Sequence, residues 1–172
     1  DAAMASYDRA IAIKSDYAEA YWNKSLALLL SGDYAEGLEL YEWRWRNKKP
    51  ELKQRDFPVP LWLGAEPVKD KAVLLHSEQG LGDAIQFCRY AKLVADLGAR
   101  VILEVPGPLL SLLHCLDGVA QFVEAGMPLP AFDYHCPLMS LPLAFKTTLD
   151  TIPASNTYLS SNKSGVDYWA GK

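Results

Sequence analysis

The sequence predicts a mixed α/β protein, a short all-α segment followed by a domain built on a parallel sheet. Three observations carry this. Apolar residues in 1–49 recur at helical spacing and are interrupted by short polar turns. From Lys71 onward, short apolar runs alternate with amphipathic stretches of helical length. Between them, 50–70 is rich in charge and proline, which suits a connector.

The first segment divides into helices over 2–14, 18–30 and 34–47, broken at Ser15-Asp16-Tyr17 and Ser31-Gly32-Asp33. Ala3, Tyr7, Ala10 and Ile11 recur 34 positions later as Gly37, Tyr41, Arg44 and Trp45. Small and aromatic residues at that period resemble the tetratricopeptide (TPR) repeat, in which helix pairs meet through small-residue contacts. The match departs at Lys24 and Ser25, where the family usually has Leu-Gly, and at Gly37 and Arg44, which stand in for small residues. About one and a half repeats are implied, starting in the second helix of a pair. Because a solenoid unit needs neighbours to bury its apolar face, the chain reads as a piece of a longer protein. The third helix closes on Tyr41-Glu42-Trp43-Arg44-Trp45-Arg46, which suits a packed helix end and, as the alternative, a surface that stacks on a ligand.

The connector carries Phe57-Pro58-Val59-Pro60-Leu61-Trp62, where prolines preclude regular structure and Phe57, Leu61 and Trp62 are expected to dock on a domain surface. A PxxP recognition motif is missing. The α/β domain is assigned to 71–160, and 161–172 to the start of a linker. Strands are expected over 72–76, 100–105, 120–124 and 132–136, with helices over 83–97, 108–116 and 138–145. Gly98 suits a helix stop and Pro108 a first helical turn. Right-handed crossovers would gather these strands into one parallel sheet. On the first of these helices Ala84, Phe87, Cys88, Ala91, Val94 and Ala95 share the buried face, leaving Gln86, Arg89, Lys92 and Asp96 to solvent.

Composition excludes several classes. A net charge of −4 over 172 residues, with no run of like charges, gives no footprint for nucleic acid. The longest apolar stretches, 26–30 and 137–145, fall far short of the roughly 20 residues of a membrane span. Residues 1–7 lack a signal-peptide core. Cys88, Cys115 and Cys136 form no CxxC pair and read as free thiols in a reducing, cytoplasmic setting. His76, His114 and His135 show no ligand spacing, so neither a metal nor another cofactor is expected.

The chemistry-bearing stretch is His76-Ser77-Glu78-Gln79-Gly80-Leu81-Gly82-Asp83, which joins the apolar run 72–75 to a helix. A strand, a glycine loop and a helix start place the N–H groups of Gly80, Leu81 and Gly82 and the carboxylate of Asp83 at the carboxyl end of the sheet, where open α/β domains keep their ligands. Ile85 replaces the third glycine of the dinucleotide fingerprint, which disfavours dinucleotide binding. Asp83 suits a helix N-cap first and a ligand-facing carboxylate as the alternative, and the two roles are compatible. His76 and Glu78 border the loop, where His76 suits a satisfied strand-end histidine first and a group that orients Asp83 or an acceptor hydroxyl as the alternative; His135, ending the fourth strand, is placed at the cleft, His114 reads as structural and Ser140 as a local cap or core-facing hydroxyl.

Together with the repeats, the Pro60-Leu61-Trp62-Leu63-Gly64 connector, the stretch from His76 to Tyr90 and Asp133-Tyr134-His135-Cys136-Pro137-Leu138 resemble bacterial repeat proteins fused to a heptosyltransferase-like glycosyltransferase region. The resemblance implies a Rossmann-like domain forming the amino-terminal, acceptor-side half of a GT-B architecture. It also implies that Asp83, matching the family's glycine-aspartate loop, is the general base of an inverting sugar transfer. Gly80, Leu81, Gly82, His76, Glu78 and His135 would then border the substrate. A nucleotide-sugar donor would bind mainly to a carboxy-terminal domain absent from this chain, a glycan or protein would be the acceptor, and the fragment alone would be inactive. The competing expectation is a non-catalytic interaction module whose repeats bind a partner peptide.

Overall fold

The computed structural model describes residues 2–47, 54–153, 157–161, 166 and 170–171. The expected boundary at 49–50 and most of the expected linker, 162–165, 167–169 and 172, lie outside the described residues. The protein is mixed α/β with a four-stranded parallel sheet. Its contacts divide it into two units, 1–58 with 62–66 and 140–152, and 59–61 with 67–139 and 153–172.

In the first unit α1 (Ala2–Ile13), α2 (Ala18–Ser31) and α3 (Tyr34–Tyr41) follow the apolar periodicity, and α2 packs on both neighbours. Gly32 ends α2 in the left-handed region at φ 89°, its N–H reaching the Leu28 and Leu29 carbonyls. Asp33 then caps α3 by accepting the Glu36 N–H. A Cβ on Gly37 would stand 2.9 Å from the Leu29 side chain and 3.2 Å from its backbone nitrogen, so a larger residue there would require Leu29 to shift. Lys24 bridges Asp8 on α1 at 3.0 Å and Glu36 on α3 at 2.7 Å.

After α3 the chain tightens into a 3-10 helix, Glu42–Arg46. Arg44 is fully buried there, lying over the rings of Tyr41 and Trp45. Arg46 covers Trp43, which stacks on Tyr21 with centroids 3.8 Å apart. These rings and guanidinium groups are thus occupied with one another. Trp62 is also buried, donating to the Glu66 carbonyl at 2.9 Å and meeting Phe145 edge-on. Residues 140–152, with α7 (Leu141–Ala144), fold with this helical unit and not with the strands that precede them.

The second unit holds the sheet, β1 (Ala72–His76), β2 (Arg100–Val105), β3 (Val119–Glu124) and β4 (Tyr134–Pro137) in the order β3-β2-β1-β4. Val73, Leu74, Leu75, Val101, Ile102 and Leu103 are all fully buried, the apolar run expected of strands covered on both faces. Pro60 and Leu61 lie beside β4, the Pro60 carbonyl accepting the His135 N–H at 3.2 Å. The connector therefore contributes one bridge at the sheet edge.

Among the elements that differ from expectation, the expected helix over 138–145 is a 3-10 turn, Leu138–Ser140, followed by α7, and two others bear on the site. The helix foreseen over 83–97 begins earlier and runs as α4 (Leu81–Phe87), a 3-10 turn (Cys88–Tyr90) and α5 (Ala91–Asp96). Gly80 caps it, and Cys88 and Arg89 bond back to the Ile85 and Gln86 carbonyls in the tightened turn. β4 starts at Tyr134 rather than 132, because Asp133 exchanges two bonds with Ala72, its N–H to the Ala72 carbonyl and its carboxylate accepting the Ala72 N–H. That exchange closes the ladder. α6 (Gly107–Leu113) lies between β2 and β3 in the chain, with Pro108 in its first turn as foreseen.

Candidate active site

Strand order decides where a site can form. The chain runs from β1 to β2 to β3 on one side and returns on the other as β4, so the order reverses between β1 and β4. In open parallel sheets the crevice outside the strand carboxyl ends at such a reversal is the ligand position. The loop 77–80 leaves β1 at that point.

The loop ends at Gly80, the N-cap of α4, and Asp83 occupies the third helical position. The expected N-cap role of Asp83 is corrected accordingly: a side chain at this position reaches back instead of forward. Its Oδ2 accepts the Gly80 N–H at 2.9 Å, the returning arm of a capping box. Among the described residues Oδ1 accepts no hydrogen bond, and the side chain is half-buried. Gly80, Leu81 and Gly82 are exposed, and a Cβ built on Gly82 would meet nothing within 4 Å. Glu78 is half-buried in the same loop.

His76 and His135 are not on the rim of the crevice. They are 3% and 5% exposed, and His76 Nε2 lies 3.2 Å from His135 Nδ1. His135 does not end its strand, since β4 continues to Pro137, and its register partner is Leu74. Because side chains two apart share a face, His76 is brought beside it. His114 packs against Phe122 instead.

Sequence reasoning passed over Glu104, which is 1% exposed and in register with His76. Its signal was a carboxylate inside the apolar run Val101-Ile102-Leu103-Glu104-Val105 of a buried strand. The amphipathic pattern leaves Arg89 to solvent, yet it donates to the Pro153 carbonyl at 3.1 Å and to the Tyr158 hydroxyl at 3.0 Å, covering the Tyr158 ring. Tyr158 donates in turn to the Ile85 carbonyl. Residues 157–161 are thereby held against the second unit, and Arg89 is committed to them.

Two concave surfaces lie elsewhere on this unit. One of about 570 Å³ sits at the amino ends of the strands, lined by Asp70, Arg100 and Asp133 among others. The other, about 630 Å³, lies beside Arg89 and Tyr158. Asp83 lines neither. Among the described residues no cluster of three His, Cys, Asp or Glu side chains could hold a metal ion, and no helix is long and apolar enough to cross a membrane. Compared with protein-family models, curated proteins and solved structures, the chain finds no match.

Proposed function

We propose that this chain is the acceptor-side half of an inverting glycosyltransferase of GT-B architecture, carried on tetratricopeptide-type helices, with Asp83 as the general base. The observation that carries the reading is the state of the Asp83 carboxylate. One oxygen is tethered by the Gly80 N–H, and the other accepts no hydrogen bond among the described residues, at the carboxyl edge where strand order reverses. A base for this reaction has to sit within hydrogen-bond reach of an acceptor hydroxyl while its own orientation is held.

In the proposed step the acceptor oxygen attacks the anomeric carbon, its proton passes to Asp83, and the bond to the nucleoside diphosphate breaks with its electron pair leaving on the phosphate. The open space over Gly82 leaves room for the acceptor beside the first turn of α4. No residue of this chain is assigned to the diphosphate.

The experiment is to present the natural protein containing this chain with nucleotide-sugars and hydroxyl acceptors. Asp83→Asn is expected to abolish transfer with unchanged thermal unfolding of the fold. Full turnover in that variant overturns the assignment. An interaction module is the second reading, supported by Ile13 and Leu30, which are 81% and 91% exposed on α1 and α2. A peptide-binding protein that hydrolyses and transfers no sugar nucleotide would favour it.

A further inference from the structure

The carboxyl end of β1 carries a polar pair where the register positions before it are apolar, and His76 itself is in register with the buried Glu104. At the β1–β2 junction Leu74 faces Ile102 and Leu75 faces Leu103, whereas between β1 and β4 the side chains of His76 and His135 meet ring to ring with a polar contact of 3.2 Å. Two buried imidazoles offer no packing advantage over two leucines. They offer direction, because a hydrogen bond holds only over a narrow range of angle and distance while apolar side chains slide.

The contact also couples the protonation of the rings. A single proton can lie between His76 Nε2 and His135 Nδ1, so whichever nitrogen carries it, the other must be bare. Each ring therefore fixes the tautomer of its partner. His76 is the last residue of β1, and the next residue, Ser77, begins the loop that ends three positions later at the Gly80 cap, whose N–H holds Asp83.

We infer that His76 and His135 are positioning residues: their shared proton locks the carboxyl end of β1 to β4 and thereby sets where the Gly80–Asp83 tether stands over the crevice. Both rings are buried, so they act through the backbone they hold. The consequence for sugar transfer rests on the glycosyltransferase reading, but the positioning itself does not.

Nitrogen-15 spectra of the imidazoles test the first half in the chain as it stands. One of His76 Nε2 and His135 Nδ1 should be protonated and the other bare, with a coupling that links them; two protonated or two bare nitrogens would overturn the inference. The second half is read from hydrogen exchange at the Gly80 N–H, corrected for global stability. His135→Leu removes the polar atom and is expected to speed that exchange about tenfold. His135→Asn, whose side-chain amide replaces Nδ1, should restore the slow rate. Equal exchange in wild type and both variants would overturn it. Asp83→Asn reports on the transferase reading separately, so the two can fail independently.

Discussion

The Arg44 guanidinium donates to Ser140 Oγ at 2.7 Å, joining residues 96 positions apart inside the helical unit. Glu42 completes the network, accepting from Arg44 and, at 2.9 Å, from Ser140, while its other oxygen accepts the Trp45 indole N–H at 3.0 Å. Removing one partner of a buried ion pair leaves the other uncompensated, at a cost of about 3–5 kcal/mol. Arg44→Ala should lower urea stability by about that amount, and Ser140→Ala by about 1–2 kcal/mol. A double-mutant cycle should show the two losses to be non-additive. Additive losses would mean the bond contributes little.

Gly82 sits in the first turn of α4 with no positive φ and nothing within 4 Å of a built Cβ. Nothing within the fold requires glycine there. Gly82→Ala should raise stability by up to about 1 kcal/mol through helix propensity. Transfer should fall at the same time, because the added methyl stands where the acceptor is proposed to lie. Unchanged transfer in the stabilised variant would count against that placement.

The three thiols should separate cleanly by reactivity. Burial pushes the Cys88 thiol up to about 12, and Cys136 is fully buried, whereas Cys115 is exposed. A thiol must ionise and be reached before it reacts. Native alkylation followed by peptide mapping should label Cys115 alone, and all three after denaturation. Rapid labelling of Cys88 in the folded chain would contradict its placement.

Lys24 is held above its ordinary value by the hydrogen bonds it donates, to Glu36 first and then to Asp8. A raised lysine contributes its stability fully below the ordinary value of 10.5 and loses it as pH climbs through the higher folded value. Lys24→Met should therefore lower the urea midpoint at neutral pH, and the gap to wild type should close above pH 10.5. A gap that is constant across that range would show that the ion pairs do not contribute.

Local pattern was sufficient for much of this protein. Helical spacing set α1 to α3, the apolar runs set β1 and β2 to the residue, and the Gly32 and Gly98 stops are functions of backbone freedom that any reader of the sequence can apply. Position 83 could be placed beyond the first strand for the same reason. What tertiary structure alone decided are the relationships between distant residues: the return of β4 beside β1, the meeting of His76 with His135, the burial of Glu104 in strand register with His76, and the commitment of Arg44 to Ser140 and Arg89 to Tyr158. Periodicity reports which face of an element is apolar. It carries no information about which strand that face will lie beside, and so about which polar side chains will find each other once water is excluded.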